Sequence, residues 1–422
     1  PGDDMARMAR TAVREARLRS GGLVAGPLEA LVERGAAAVR AFAELPGPVL
    51  LTGRRSWDPW WSDRVPVLVD AHPPGIPERA HLWRSHLNGG GGGGFDPAEA
   101  TLHFRLTPEQ VGRAAVAARQ QAVLAGEEIG SAHLRAGARS QNGAGLEGKA
   151  RRIEPAVGWV DLVLPLAPLH GLQELAARAH HRDRVMDEWG MRPGGGRGRG
   201  ITALFAGDSG TGKTMSAEVI AGALGLDLYS INLATVVDKY VGETEKNLER
   251  IFTEADGVNA VLLFDEADAM FGKRSEVRDA HDRYANIEVA YLLQRMESFD
   301  GLAILATNLR ANLDEAFARR LDAVIDFPLP DDEQRRLLWE RCLGPSVPRH
   351  DDVDLDFCAR QFELSGGNIR SIAVTAAYLA ASTNQPVSML DLMRATQREY
   401  RKLGRLCGRS EFGPWLERLA TG

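Results

Sequence analysis

Between residues 201 and 329 the chain alternates short, almost purely apolar runs with longer stretches in which apolar positions recur every three or four residues. The runs are ITALFAG (201–207), LDLYSINL (226–233), AVLLFDE (260–266), LAILATN (302–308) and AVIDFPL (323–329). Apolar runs of this length, bounded by turn residues, predict strands buried on both faces. Helical spacing at 213–224, 243–255 and 284–297 fills the intervals. Such alternation predicts the α/β class, a parallel five-stranded sheet between helices. Past Pro330 the period is helical throughout, in PDDEQRRLLWERCL, DLDFCARQF, GGNIRSIAVTAAYLAA and MLDLMRATQREYRKLG, which predicts a small helical lid.

The first third of the chain has a different rhythm. The stretch ahead of Pro46 is rich in Ala and Arg and helical by composition. Beyond it, three blocks repeat the pattern of the last third in the same order. GPVLLTGRR (47–55) parallels GLAILATNLR (301–310), and VLVDAHPPGIPERAHLWRSHL (67–87) parallels AVIDFPLPDDEQRRLLWERCL (323–343). LHFRLTPEQVGRAAVAA (102–118) parallels RQFELSGGNIRSIAVTA (360–376). Two apolar strands followed by amphipathic helices are expected in each copy, and three blocks in one order point to duplication. Glycine-rich segments at 89–94 and 193–200 predict flexible connectors, and the small, polar stretch 136–148 marks a junction. The organisation read from these signals is an N-terminal module over 1–145, an α/β domain over 146–330 and a helical domain over 331–422.

Composition narrows the class. At 422 residues and 44% hydrophobic, the chain can fill two or three cores. No apolar stretch approaches the roughly 20 residues that span a bilayer, and PGDDMARMAR lacks the apolar core of a secretory signal, so a cytoplasmic, membrane-free protein is expected. Three widely spaced cysteines, Cys342, Cys358 and Cys407, suggest neither a disulfide framework nor a zinc site. A net charge of −6 disfavours nucleic acid as the main partner.

The chemistry is concentrated in two motifs. GDSGTGKT (207–214) follows an apolar strand and opens a helix, the context a phosphate-cradling loop requires. Gly207, Gly210 and Gly212 let the backbone wrap closely around phosphate oxygens, so that Asp208, Ser209, Gly210, Thr211 and Gly212 bind them, Lys213 reaches the β- and γ-phosphates of ATP, and Thr214 ligates Mg2+. VLLFDEAD (261–268) puts two consecutive carboxylates at the C-terminal end of a buried strand, where an open parallel sheet leaves its ligand crevice. Asp265 is expected to hold the Mg2+ shell and Glu266 to polarise the attacking water.

These motifs in this order resemble the AAA+ ATPases, and the resemblance assigns further residues. Asn308, ending LAILATN, matches the family's sensor-1 position. Arg319 and Arg320, in LDEAFARRLD, match the place from which such rings send arginine fingers into a neighbouring subunit's site. In SGGNIR, Gly366 and Gly367 resemble lid residues near adenine; Arg370 is either a sensor-2 contact or a helix-surface arginine. Gly158–Trp159–Val160–Asp161 resembles the short motif entering the ATPase domain, although Trp159 serves equally as core. Tyr240 and Val241, in KYVGETE, match the pore loop with which substrate-threading rings grip a polypeptide, and the charged loop 272–283 resembles a second pore segment.

The wording of KYVGETEKNLERIF, LLFDEADAMFGKRSEVRDAHDRYANIEVAYLLQRME and LDEAFARRLDAVIDFPLPD is closest to the ATPases of phage-tail-like extracellular contractile injection systems. In that subgroup a degenerate AAA-like region precedes the active domain, which implies the same for residues 1–145 with its front half truncated or absent. The resemblance implies a homo-hexameric ring that remodels, threads or disassembles a protein partner, an injection-system component or its cargo. A nucleotide-gated assembly scaffold is the competing reading. A DNA helicase or clamp-loader-like enzyme is the third, poorly motivated by the acidic balance and the aromatic loop.

Overall fold

The computed structural model describes residues 2–53, 55–71, 74–87, 95–142, 144–191, 200–237, 242–271, 280–308 and 319–420. The chain divides into two compact units, Pro1–Pro73 and Pro74–Gly422. The first is small. Helices α1 (Gly2–Leu18), α2 (Leu28–Glu33) and α3 (Ala36–Ala43) accompany two parallel strands, β1 (Leu23–Ala25) and β2 (Val49–Leu51). Met5, Ala9 and Val13, four residues apart on α1, meet Val39 and Phe42 of α3 in its core. The strand at 23–25 interrupts a region expected to be helical, because a three-residue strand is too short to leave a period. Conversely, the apolar run at 67–71 forms no strand; among the described residues none is hydrogen-bonded to it as a neighbouring strand, and a strand exists only by pairing.

The second unit begins with helices α4 (Ile76–His86), α5 (Pro97–Ala100), α6 (Pro108–Ala125) and α7 (Ser131–Arg139). Its sheet comprises β3 (Arg151–Ile153), β4 (Ile201–Gly207), β5 (Asp227–Asn232), β6 (Ala260–Asp265), β7 (Leu302–Thr307) and β8 (Ala323–Phe327), in the order β3-β5-β6-β7-β4-β8. Five strands are parallel, as the apolar runs predict; the sixth, β3, adds antiparallel to β5. Its sequence, Arg-Arg-Ile, carries no apolar run, and an ion pair of 2.9 Å between Arg152 and fully buried Asp227 fastens this edge. Side chains alternate across the sheet. Ala203, Phe205, Leu263 and Ile304 face α8 (Leu166–Asp183) and α9 (Lys213–Leu224), while Leu204, Leu262, Phe264 and Leu305 face the opposite way. There, after the short α10 (Leu233–Val236), lie α11 (Glu243–Ala255), α12 (Asp268–Phe271) and α13 (Ala280–Ser298).

The C-terminal helices are α14 (Asp332–Leu343), α15 (Leu355–Gln361), α16 (Gly366–Ser382), α17 (Met389–Lys402), α18 (Arg409–Phe412) and α19 (Trp415–Ala420). Their core is separate, built around Trp339, Phe362, Ile369 and Leu392. Helices α4–α7 repeat its internal plan. Trp83, Phe104, Val111 and Leu134 are buried as Trp339, Phe362, Ile369 and Leu392 are. Arg79, one turn ahead of Trp83, donates to the Leu102 and Phe104 carbonyls, and Arg335, one turn ahead of Trp339, donates to the Pro330 and Ala359 carbonyls. Thr107 caps α6 with Gln110 as Ser365 caps α16 with Asn368. The residues at 136–139, expected in a junction, instead complete α7, because Leu134 and Ala138 both reach the core.

The two helical sets differ in their attachment. The apolar core of α4–α7 is continuous with that of the sheet. Polar groups reinforce the seam: Asp183, at the end of α8, receives Arg79 at 3.1 Å and Arg105 at 3.1 Å, and Arg105 also reaches Asp300 at 2.6 Å. Burial opposes ionisation of Asp183, but Arg105 and Arg182 hold its carboxyl down to about 2. Asn142 and Asn259 exchange hydrogen bonds of 3.0 and 3.2 Å across the same seam.

His103 sits there too, its Nε2 3.1 Å from Nδ1 of His180, and burial, then His180, lowers its pKa from 6.5 to about 4. The unfolded chain therefore binds more protons between these values, so stability is lost as pH falls from 6.5 towards 4. His103→Gln is expected to reduce that loss by up to about 3 kcal/mol. Urea unfolding of both proteins at the two ends of this window checks it, and parallel pH profiles would refute it.

Candidate functional site

β4 delivers the loop 208–212 to the C-terminal rim of the sheet, and α9 starts directly behind it. Gly210 and Gly212 have φ of +79° and +102°, which side chains resist, so the loop can turn its N–H groups inward. The first turn of α9 adds the positive end of a helix dipole, and together these make an anion site.

Lys213 opens α9 and is 7% exposed. Its ammonium donates to the Gly207 carbonyl at 2.6 Å, the Asp208 carbonyl at 2.9 Å and Asn308 Oδ1 at 2.9 Å. Burial lowers its pKa, against the pull of Asp265, Asp208 and Asp268. Each of these contacts is one that a phosphate oxygen could replace. Thr214 Oγ1 donates to Asp265 Oδ2 at 3.3 Å, so a hydroxyl and a carboxylate face one another at the end of β6. Hard oxygen donors of this kind fit Mg2+. Glu266 follows with φ +56°, a strained backbone for a non-glycine residue; its N–H donates to Asp265 Oδ1 at 2.9 Å, and the next N–H, of Ala267, donates to the Ala306 carbonyl on β7. The turn presents the Glu266 carboxylate, exposed, beside the phosphate loop's partner residues.

The fold thus brings Asp208, Lys213, Thr214, Asp265, Glu266 and Asn308 to one rim. The helical domain reaches it as well. Gly367 N–H donates to the Gly210 carbonyl at 2.9 Å, and a Cβ on Gly367 would lie 3.0 Å from Gly210 Cα. Arg370, one turn further along α16, is exposed, and its electrostatic neighbour is the Cys342 thiol within the helical domain. Trp159 packs against the sheet core. Arg319 and Arg320 lead into β8; Arg320 is about half exposed, 3.9 Å from Glu297. Tyr240 and Val241 lie outside the described residues, as does most of the loop 272–283.

Two residues beyond the sequence expectations belong to this rim. Asp268 Oδ1 accepts from both the backbone N–H and the Nδ2 of Asn308, each at 3.4 Å. Ser365 is 4% exposed, and its Oγ would lie 2.6 Å from a Cβ on Gly210. The cap pattern Ser-x-x-Asn before α16 was the available signal for Ser365; nothing in the sequence separates Asp268 from any other acid in a strand-end cluster.

A parallel sheet with a phosphate loop at its rim and a helical domain against that loop defines a P-loop AAA+ fold. Residues 203–329 match the family model for the ATPase family associated with various cellular activities (AAA). The contractile injection system ATPase helical domain matches at both 75–144 and 331–407. These matches support an AAA+ ATPase related to those of contractile injection systems. It is 35% identical over 197 residues to a 26S proteasome regulatory subunit 6B homolog of Dictyostelium discoideum, covering 45% of this chain and 48% of that one. To a probable 26S proteasome regulatory subunit 6B of Caenorhabditis elegans it is 34% identical, covering 48% and 51%. To a 26S proteasome regulatory subunit 4 homolog of Oryza sativa subsp. japonica it is 30% identical, covering 59% and 54%. The chain spans about half the length of these relatives.

The Gly367–Gly210 contact leads to a direct expectation. Gly367→Ala forces a methyl against the loop, at a cost of about 1–3 kcal/mol, so affinity for a non-hydrolysable ATP analogue is expected to fall about tenfold. Calorimetric titration measures this, and unchanged affinity with a well-folded variant would show that the lid contact does not shape the site.

Proposed function

We propose that this chain hydrolyses ATP as a subunit of a homo-hexameric ring that remodels, threads or disassembles a protein partner, a component or cargo of a contractile injection system. The observation that carries the reading is the convergence of Lys213, Asn308, Thr214, Asp265 and Glu266 on one strand-end rim. In this reading Lys213 leaves the Gly207 and Asp208 carbonyls for the β- and γ-phosphate oxygens. Thr214 and Asp265 would hold Mg2+, which when bound neutralises charge building on the phosphates. Glu266 accepts the proton of the attacking water, and Asn308 orients that water once its amide is released from Lys213. Arg319 and Arg320 act on the site of the neighbouring subunit. No helix among the described residues is long and apolar enough to cross a membrane.

A second reading, a nucleotide-gated scaffold, draws support from the firm seam between α4–α7 and the sheet, which suits a fixed brace better than a moving lid. Tyr240→Ala separates the two. A threading motor is expected to keep its basal ATP turnover within about twofold and lose most of its action on substrate, because the aromatic grips the polypeptide and touches no phosphate. Unfolding of a tagged injection-system protein, followed alongside phosphate release, is the measurement. Retained unfolding would remove the pore role, and retained assembly without any unfolding in the unaltered protein would favour the scaffold.

A further inference from the structure

Glu399 lies on α17, which packs against α16, and only 6% of it is exposed. Three donors meet its carboxylate. Oε1 accepts from Asn368 Nδ2 at 3.0 Å, and Oε2 accepts from Ser371 Oγ at 3.0 Å and from Lys402 Nζ at 2.6 Å. Burial opposes its charge, but the hydrogen bonds from Lys402, Asn368 and Ser371 hold its carboxyl below the usual range.

An ionised carboxylate only accepts, so it fixes the direction of the hydrogen bonds beyond it. Asn368 must turn its NH2 to Glu399, which leaves Oδ1 facing Ser365. That oxygen carries no hydrogen, so the 2.6 Å contact between them is donated by the Ser365 hydroxyl. The Ser365 hydrogen is thereby drawn to Asn368 and not to Gly210, although Oγ would lie only 2.6 Å from a Cβ there. Two residues on, the Gly367 N–H has the Gly210 carbonyl, at 2.9 Å, without competition from Ser365. Across a trans peptide N–H and C=O are antiparallel, so this bond turns the Thr211 N–H away from Gly367.

The first helical set supplies a comparison. Counted from the matching core residues, Thr107, Gln110, Arg113 and Gln141 stand where Ser365, Asn368, Ser371 and Glu399 do, with Pro108 and Glu109 in place of the glycine pair. Their side chains are joined differently. Gln110 Oε1 turns back to the Thr107 N–H at 2.8 Å, and Gln141 Oε1 accepts from Arg113 at 3.0 Å. The carboxylate and its directed chain belong to the copy that touches the phosphate loop.

We propose that Glu399 is a positioning residue for nucleotide binding, which through Asn368 and Ser365 sets the hydrogen-bond direction at the α16 cap and so keeps Gly367 on Gly210. The proposal rests on the loop 207–214 being the ATP site. Glu399→Gln keeps the shape of the side chain but reverses the chain of donors. Lys402 and Ser371 claim the glutamine oxygen, its NH2 faces Asn368, and the Asn368 amide flips to accept it. Asn368 then donates to Ser365, whose hydrogen is released toward Gly210. Adding Asn368→Asp restores the original sense, because the new carboxylate accepts from the glutamine NH2 on one side and from the Ser365 hydroxyl on the other.

Calorimetric titration of the full chain with a non-hydrolysable ATP analogue tests this, with thermal unfolding of each variant alongside. Affinity is expected to fall about tenfold in Glu399→Gln. A loss of about the same size is expected in Asn368→Asp, where two carboxylates face each other. In the double variant affinity should return to within about threefold of the unaltered chain, whereas losses from a merely structural role would add. Unchanged affinity in a folded Glu399→Gln chain, or a double variant that binds no better than the weaker single one, would overturn the proposal and leave the ATP site standing. Failure of the unaltered chain to bind the analogue would overturn the site reading, and the proposal with it.

Discussion

Glu266→Gln is expected to lower ATP turnover by about 10²–10⁴-fold while leaving nucleotide affinity near that of the unaltered protein. The amide keeps the size and position of the carboxylate but cannot take a proton from water. Little else should change, because the Glu266 backbone, not its side chain, ties the turn: its N–H holds Asp265 Oδ1, and the next N–H holds β7. The strained φ of +56° remains with glutamine as with glutamate. Single-turnover phosphate release together with analogue titration distinguishes the two quantities. Turnover within a fewfold of the original would exclude Glu266 as the base. A parallel loss of affinity would mean that the substitution had disturbed the Asp265 and Thr214 pair instead.

The paired change Arg319→Ala/Arg320→Ala should be of comparable size, about 10³–10⁵-fold for a transferred phosphoryl group that loses its arginine. Its signature is different. The backbone carbonyl of Arg320 accepts from Thr202 Oγ1, a contact that alanine preserves, so β4 and the loop beyond it should stay in place. Each altered subunit should therefore bind ATP normally and fail only at the site it faces. In mixtures with unaltered chains, activity is expected to fall in proportion to the junctions that contain an altered arginine pair. Full activity of such mixtures would put the arginines outside the reaction. Loss of binding within the altered subunits would mark them as structural.

The ATPase sheet was legible because five runs of near-continuous apolar character alternate with segments of helical spacing. Ile201–Gly207 is read as a strand and is one, buried at nearly every position. β1 and β3 were not legible, since three residues establish no period and Arg151 and Arg152 look like solvated surface. The run at 67–71 misled for the converse reason: its residues favour a strand, but strand formation is decided by a neighbour that offers hydrogen bonds. The helical repeat was visible as spaced Trp, Phe and apolar positions. That one copy keeps its own core, and the other shares the core of the sheet, was not visible, because Asp183, Arg79, Arg105 and Asp300 are far apart in the chain and become partners only on folding.

The same division holds at the rim. Residue type and local spacing alone determined the phosphate loop, the acid pair behind an apolar strand and the class of chemistry they suit, because these depend on glycine freedom, a lysine and neighbouring carboxylates within short segments. Tertiary structure decided the rest. Lys213 meets Asn308, Asp268 meets Asn308, and Gly367 meets Gly210 only because parallel strands and a helical domain carry distant segments to one edge of the sheet. Distance in space is set by packing, which no local pattern encodes.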